Sequence, residues 1–324
     1  AAAAAAAASA SLLARPLSTR LLPGRRPYRC ALPLRCAASA AMEDLDSEAR
    51  RNPALVAARV STGRLFEEGR DFRVVTREAG SQRLDLPIFT ARSGAVHLDQ
   101  GASLPSVERE DFPHIPGEPF LLHNVLTASE CDQIIAVSES MGYSEDAPVS
   151  LGRAIRQNEN CVWIAESSLN EAIFRRCAAL LPSGTSGGAA LGLNQRWRLY
   201  KYNPDDVFRP HTDGAWPGSS LDATMGCLVH DAYGDRFSEL TWVLYLNDDF
   251  EGGQTRFFRP GERPREVVLA GEVPATRGAA LCFWHGSHPL SPVHEGALVM
   301  GGTKYIIRSE VLYPLRHRAA APRL

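Results

Sequence analysis

The spacing of apolar residues after residue 119 predicts a short strand followed by two amphipathic helices. Each helix begins with a capping box, in which a Ser or Thr hydroxyl and a Glu three residues later satisfy free backbone amides. A glycine ends the first helix because glycine adopts positive φ without a Cβ clash, and a proline ends the second. The residues that carry these signals are Thr127, Glu130 and Gly142 for the first helix, and Ser168, Glu171 and Pro182 for the second.

From residue 194 onward the pattern changes to a period of two, with aromatic and β-branched residues in short runs between Gly, Pro and Asp turns. Gly252 and Gly253 mark the clearest turn. Seven or eight short strands are typical of a jelly-roll double sheet. The predicted strands span residues 196–202, 208–213, 239–246, 255–258, 266–269, 279–284, 293–299 and 304–313.

The segment before this region, residues 43–113, is charged and irregular. Helical turns are predicted between residues 43 and 59, with an interruption at Pro53, and no chemistry is assigned to the segment. We therefore expect four parts: residues 1–42 as a transit peptide or disordered segment, 43–113 as an N-terminal extension, 114–316 as the main folded domain, and 317–324 as a C-terminal tail.

Composition excludes some partners. The 35 basic and 37 acidic side chains nearly balance, so the chain lacks the positive surplus of a nucleic-acid binder. The longest apolar runs are strand-length and shorter than the roughly 20 residues that span a bilayer, so no membrane partner is expected. The seven cysteines are scattered without CxxC pairs, which is typical of reduced thiols in a core.

The first 42 residues contain six arginines, an eight-alanine run and no acidic residue. This composition is typical of an organelle transit peptide. The Cys36-Ala-Ala-Ser segment before Met42 resembles a plastid processing site, which favours the chloroplast over another organelle. If translation starts at Met42, a cytoplasmic location is expected instead.

The candidate chemistry begins at His211-Thr212-Asp213. Residues two apart in an extended segment point to the same face, so this imidazole and this carboxylate can bind one ion. Such a triplet alone is weak evidence, because a salt-bridged surface pair has the same sequence. A third ligand would complete the two-His, one-carboxylate triad that leaves open positions on ferrous iron. His294, at the start of a predicted strand, is favoured over His285 and His288, and His230 is discounted as a loop residue.

A basic residue follows at a fixed spacing. Lys304 lies ten residues after His294, beyond the Gly301-Gly302 turn, where it can reach the mouth of the same barrel. A dicarboxylate that chelates a metal through one end needs a cation for its far carboxylate, and a lysine in a low-dielectric pocket supplies that charge. Arg308 lies on the same face, either as a second cation for the pocket or as the partner of a neighbouring acid.

Three segments together resemble the prolyl 4-hydroxylase catalytic domain and related 2-oxoglutarate oxygenases. They are Tyr202-Asn-Pro-Asp-Asp-Val-Phe-Arg-Pro-His211-Thr-Asp213, LTWVLYLNDDFEGGQTRFF and HEGALVMGGTKY, within a resemblance that runs from about residue 119 to 314. The resemblance implies an α+β, mainly β fold: a double-stranded β-helix (jelly roll) with helices packed on one sheet. It implies a 2-oxoglutarate-dependent dioxygenase that hydroxylates a prolyl or other peptide residue and releases succinate and CO2.

The resemblance also implies roles for individual residues. His211, Asp213 and His294 would hold Fe(II), and Lys304 would pair with the C5 carboxylate of 2-oxoglutarate, with Arg308 ranked behind it. Tyr202 and Tyr245 match positions that line the co-substrate pocket; as core aromatics they would have no such role. Arg156 lies where some prolyl hydroxylases have a substrate-contacting arginine. Trp216, in a Gly-rich loop longer than in collagen-type enzymes, is a second substrate-binding candidate. O2 and L-ascorbate complete the expected cofactors.

Three alternatives remain open from the sequence. The same chemistry could act on a free amino acid or another small metabolite instead of a peptide. A non-catalytic jelly-roll binding module would share the strand pattern but would give no reason for the order of His, Asp, His and Lys. A cupin-like dioxygenase or zinc hydrolase could use the triad without requiring Lys304. Formation of succinate separates these classes.

Overall fold

The computed structural model describes residues 48–49, 52–101, 104–148, 155–263 and 266–315. The predictions for residues 1–42 and 317–324 therefore lie outside the described residues. In the described ranges, none of the helices is both long enough and apolar enough to cross a bilayer. The helices are α1 (Pro53–Thr62), α2 (Ala128–Met141) and α3 (Ser167–Cys177), which continues as a 3-10 turn (Ala178–Leu180).

The strands lie in two large sheets and two short two-stranded sheets. They are β1 (Phe72–Glu78), β2 (Leu86–Ala91), β3 (Glu108–Asp111), β4 (Phe120–His123), β5 (Arg156–Gln157), β6 (Glu159–Ile164), β7 (Gly192–Leu193), β8 (Arg196–Tyr202), β9 (Val207–His211), β10 (Ser220–Leu221), β11 (Leu228–Val229), β12 (Arg236–Tyr245), β13 (Glu251–Gly252), β14 (Thr255–Pro260), β15 (Val267–Val273), β16 (Ala280–Trp284), β17 (Val293–Gly296), β18 (Val299–Gly301) and β19 (Lys304–Pro314).

The order of the strands confirms the predicted jelly roll. The major sheet has the order β1-β2-β6-β8-β19-β12-β16-β4-β3, with β7 paired to β19, and the minor sheet has the order β15-β14-β17-β9-β5. Along the chain β8, β12, β16 and β19 enter the major sheet, while β9, β14 and β17 enter the minor sheet between them. This alternation of antiparallel strands between two sheets is the double-stranded β-helix.

Alternation along the strands separates two cores. In β12, Leu240, Trp242 and Leu244 belong to the core that includes buried residues of the helices, whereas Val243 and Tyr245 belong to the core between the sheets. Successive side chains of a strand point to opposite faces, so one face of the major sheet packs on the helices and the other encloses the barrel. Helices packed on one sheet were predicted, and the structure confirms this.

Helix α2 begins where it was predicted to begin, and helix α3 does not. Thr127 and Glu130 form both bonds of a capping box, and Gly142 caps the C-terminus of α2 with φ 92°. Helix α3 begins at Ser167 with no side-chain cap, so the predicted Ser168 box is wrong. The buried Asn170 side chain bonds Leu193 O and Trp197 Nε1. These tertiary contacts fix the first turn in place of the cap.

Residues before 114 contribute to the same sheet as the barrel. Strand β2 pairs in parallel with β6, and β1 pairs with β2 at the edge of the major sheet. The prediction that Pro53 interrupts a helix is wrong. Pro53 is the first residue of α1, a position where proline is tolerated because the first helical residue needs no amide hydrogen. The described residues form one compact unit, and the predicted limit at residue 113 does not coincide with a break in the sheet.

Candidate active site

Strand pairing brings the three candidate metal ligands together. Strands β9 and β17 are antiparallel neighbours in the minor sheet, and His211 lies directly opposite His294 in their register. Asp213 follows two residues after His211, just beyond the end of β9. One ligand atom from each of the three residues lies within 4.8 Å of the others. The structure thus brings together the triad that the sequence predicted.

Both imidazoles present the same nitrogen to the centre of this cluster. The Nδ1 atoms of His211 and His294 lie 2.8 and 3.3 Å from the carbonyl oxygens of Arg209 and Pro292. A carbonyl only accepts, so each Nδ1 carries the hydrogen and each Nε2 keeps its lone pair. The two Nε2 atoms lie 3.8 and 3.6 Å from the oxygens of Asp213. Two free imidazole nitrogens and one carboxylate fit a divalent metal such as Fe(II).

The surroundings favour the protonation states that a metal requires. Burial lowers the pKa of His211 to about 4 and also lowers the pKa of His294. Burial alone would raise the pKa of Asp213, but the Arg308 guanidinium and the nearby imidazoles outweigh it and lower that pKa. At neutral pH the cluster therefore holds two neutral imidazoles and one carboxylate.

Separate groups hold the two oxygens of Asp213. The Arg308 guanidinium lies 3.2 Å from Oδ1, and the Thr241 hydroxyl donates to Oδ2 at 2.7 Å. Arg308 also contacts Glu310, which in turn contacts Arg198. Arg308 therefore points inward, but it lies against acidic side chains. Its predicted contact with the co-substrate remains a prediction.

Lys304 is a buried residue in the wall of a cavity beside the triad. Its side chain is 3% exposed, and its ammonium donates to Gly253 O at 2.5 Å. The same nitrogen lies 5.4 and 5.5 Å from the ring centroids of Tyr202 and Tyr245. Burial lowers the pKa of Lys304 to about 7. No acidic residue neutralises it among the ion pairs of the described residues, and its cavity also contains His211, Asp213 and His294.

The two tyrosines predicted for the co-substrate pocket line this cavity or border it. Tyr202 is part of the cavity wall. Tyr245 is fully buried, and its hydroxyl lies 2.8 Å from the Thr255 hydroxyl. Sequence reasoning missed Thr255, which is also in the wall. Its position at the start of the strand after Gly252-Gly253, two residues before the buried Phe257, was the available signal.

A second cleft also borders His211 and Asp213 and contains both predicted substrate-binding residues. Arg156 is 9% exposed, and its guanidinium lies 5.4 and 5.7 Å from the ring centroids of Tyr200 and Phe208. Trp216 also lines the cleft, with the Arg198 guanidinium 5.3 Å from its ring. Sequence reasoning missed Arg198 and Tyr200, which alternate on β8 with core residues.

The three other histidines considered as ligands, His285, His288 and His230, lie outside the three-residue cluster. His285 is buried behind it, with its ring nitrogens 2.8 and 2.9 Å from the hydroxyls of Thr241 and Ser238. His288 stacks on Trp284 with ring centroids 4.1 Å apart. The His230 side chain is 67% exposed and lies 3.6 Å from Glu78. These positions agree with the choice of His294 as the candidate ligand; metal binding itself remains to be measured.

Comparison with known proteins finds one related sequence of defined activity. No protein family model matches the chain. Prolyl 4-hydroxylase 1 of Arabidopsis thaliana is 22% identical over 213 residues, which cover 57% of this chain and 65% of that protein. The chain thus spans less than two thirds of the length of this relative.

Three solved structures share weak similarity with the chain. A viral collagen prolyl hydroxylase from Paramecium bursaria Chlorella virus-1, described as a 2OG complex, is 16% identical, with a TM-score of 0.35 and coverage of 64% of this chain and 97% of that one. A Pseudomonas putida prolyl-4-hydroxylase is 17% identical, with a TM-score of 0.40 and coverage of 62% and 94%. A Trichoplax adhaerens prolyl hydroxylase, in complex with a hypoxia inducible factor peptide, is 18% identical, with a TM-score of 0.38 and coverage of 60% and 82%.

Proposed function

We propose that this chain is an Fe(II)- and 2-oxoglutarate-dependent dioxygenase that hydroxylates a prolyl or other residue of a peptide. The observation that carries the proposal is the convergence of His211, Asp213 and His294 within 4.8 Å beside a cavity with a buried lysine. The sequence similarity to a prolyl 4-hydroxylase supports the same class.

The triad would hold iron on one face and leave the opposite face for small ligands. When bound, ferrous iron supplies the oxygen chemistry that couples conversion of 2-oxoglutarate to succinate and CO2 with hydroxylation of a C–H bond. The residues of the chain would orient the three metal ligands. The carbonyls of Arg209 and Pro292 fix both imidazoles, and Thr241 and Arg308 fix the carboxylate.

Lys304 supplies the charge for the far end of the co-substrate. A charged ammonium in a cavity at low dielectric binds a carboxylate more strongly than it would in water. The hydroxyls of Tyr245 and Thr255 bond each other, and Thr255 lies in the cavity wall where it can also bond a carboxylate. The co-substrate would therefore lie between Lys304 and the triad.

The substrate would enter through the cleft lined by Arg156 and Trp216. A guanidinium flanked by aromatic rings offers hydrogen bonds to peptide carbonyls and a flat surface for a side-chain ring. We favour a peptide over a small metabolite because several separate segments of the chain line this cleft. L-ascorbate as a reductant and a chloroplast location are part of the same proposal.

The test is an anaerobic titration of the purified protein with Fe(II) and then 2-oxoglutarate, followed by an assay for succinate in air. We expect a weak visible charge-transfer band from the chelate and metal-dependent succinate formation. A jelly-roll binding module would show neither, and a zinc hydrolase would form no succinate. Either result would refute the proposal. Proline-containing peptides and free proline, assayed side by side for uptake of one oxygen atom, distinguish a peptide substrate from a small metabolite.

A further inference from the structure

A continuous chain of hydrogen bonds runs from Asp213 into the buried side of the major sheet and back to the cleft. Thr241 Oγ1 lies 2.7 Å from Asp213 Oδ2 and 2.8 Å from His285 Nδ1. His285 Nε2 lies 2.9 Å from Ser238 Oγ, which accepts a bond from the backbone amide of Trp216 at 2.8 Å. Thr241, Ser238 and His285 are each at most 1% exposed.

The chemistry of these groups gives every bond a direction. An ionised carboxylate only accepts, so the single hydroxyl hydrogen of Thr241 goes to Asp213. Thr241 must then accept from His285, which places a hydrogen on Nδ1. Burial lowers the pKa of His285 to about 4, so the ring is neutral and its Nε2 accepts from Ser238. Donation therefore runs one way, from Trp216 N to Asp213.

Backbone contacts also connect the segment after Asp213 with the residues after β16. Gly286 N donates to Asp213 O at 3.0 Å, and a Cβ built at Gly286 would lie 2.9 Å from the Cβ of Ala215. The segment that follows Asp213 therefore packs tightly on the residues that follow β16. A shift of the Trp216 segment in the cleft would change both the hydrogen-bond chain and this packing.

We propose that His285, through Thr241, is a positioning residue that fixes the orientation of the Asp213 carboxylate and links it to the Trp216 segment of the substrate cleft. This inference rests on the proposed metal site. His285 acts only as an Nδ1–H donor that prevents the Thr241 hydroxyl from turning away from Asp213. It touches neither the metal nor the substrate.

The experiment measures Co(II) affinity by calorimetry and the visible d–d spectrum of the Co(II) protein, neither of which requires turnover. Removal of groups that orient metal ligands typically weakens metal binding by about 10- to 100-fold. Thr241→Val and His285→Leu should each do so and change the d–d spectrum. Thr241→Ser keeps the hydroxyl, and His285→Asn keeps an amide N–H at the place of Nδ1, so both should restore affinity and spectrum.

A second measurement uses the unaltered protein, so it does not depend on how variants fold. Long-range 1H–15N correlation spectra of the metal-free protein should show the neutral Nδ1–H tautomer for His285. The Nε2–H tautomer would reverse the bonds and overturn the inference. So would a Thr241→Val protein whose affinity and spectrum match those of the wild type. If wild-type protein binds no Co(II), the metal site fails; if it binds Co(II) and only the variant pattern fails, the proposed function stands and the inference falls.

Discussion

Burial decides the charge of the lysine that faces the co-substrate. Lys304 has lost nearly all contact with water, and its pKa falls to about 7 for that reason. A bound carboxylate would raise this pKa, because the opposite charge favours the ammonium form. Binding of 2-oxoglutarate is therefore coupled to proton uptake at any pH above 7.

This coupling predicts a pH-dependent affinity. The affinity of the Co(II) protein for 2-oxoglutarate should be constant below pH 7 and fall as the pH rises through 7, by up to about tenfold per pH unit. Calorimetric titrations between pH 6 and 9 measure it. Lys304→Arg is the matched control, because a guanidinium stays charged over this range and should flatten the dependence. A wild-type affinity that does not change above pH 7 would contradict the role given to Lys304.

The metal ligands give a second prediction at the residue scale. Asp213→Ala and His294→Ala should each abolish Fe(II)-dependent succinate formation and lower Co(II) affinity by at least about 100-fold, since two ligands cannot hold the metal in chelate-ready geometry. His288→Ala removes a histidine six residues before His294 that stacks on Trp284 away from the cluster, so it should bind Co(II) normally. The opposite pattern, in which His288 is needed and His294 is not, would show that the distal ligand was wrongly chosen.

Local patterns indicated some of these residues and not others. The two-residue spacing of His211 and Asp213 follows directly from strand periodicity, so the sequence was sufficient to place them together. The contacts of His285 with Thr241 and Ser238 were not predicted, because these residues meet only after two distant strands pair. Nothing in the sequence around any one of them indicates the contact.

At the scale of elements, one carboxylate holds the turn of the first hairpin. Asp146 lies in the segment after α2 and accepts hydrogen bonds from the backbone amides of Ser81, Gln82 and Arg83 between β1 and β2, and from the Ser81 hydroxyl. Burial alone would raise the pKa of Asp146, but these bonds outweigh it and lower the pKa. The neighbouring Ala147 and Pro148 line the substrate cleft.

Loss of this charge should destabilise the fold. Asp146→Asn replaces an acceptor of several amide bonds, and we expect the free energy of unfolding at pH 7 to fall by about 2 kcal/mol. Because the folded pKa lies below the unfolded value, the wild-type advantage should be full well above about pH 4 and decrease as the pH falls from there towards the lowered folded pKa. Urea unfolding of both proteins at pH 7 and pH 3 measures this. Asp85→Asn, at a side chain 63% exposed, is the control and should have little effect. Equal effects of the two substitutions would contradict the role given to Asp146 in holding the turn between β1 and β2.

Element boundaries were predictable where local chemistry alone sets them. The capping box of Thr127 and Glu130 satisfies amides within its own turn, so α2 began where it was predicted. The start of α3 depends on how Asn170 bonds Leu193 and Trp197, which no local signal contains. Pro53 was read as a break, although a proline is equally compatible with the first position of a helix.

At the scale of the whole molecule, the N-terminal segment completes the sheet that supports the site. Ile88 and Phe89 of β2 are buried against the rest of the protein, and β2 covers the edge of β6. Asn52, which caps α1, donates to the Tyr305 hydroxyl, and Tyr305 donates to Glu139 of α2. Tyr305 is the neighbour of Lys304 on β19. This arrangement could not be predicted from local patterns, because parallel pairing of β2 with β6 joins residues more than 70 positions apart.

Two truncations test whether this segment belongs to the domain. A chain that starts at residue 48 should keep the thermal midpoint and Co(II) affinity of the full chain, because it retains α1, β1 and β2. A chain that starts at residue 114 exposes the β6 edge and the apolar surface under β2, so it should aggregate or lose its cooperative unfolding transition. Thermal unfolding, followed by circular dichroism and light scattering, distinguishes these outcomes. If the shorter chain unfolds at the same temperature and binds Co(II) as tightly, the N-terminal segment is an independent addition and the barrel is stable without it.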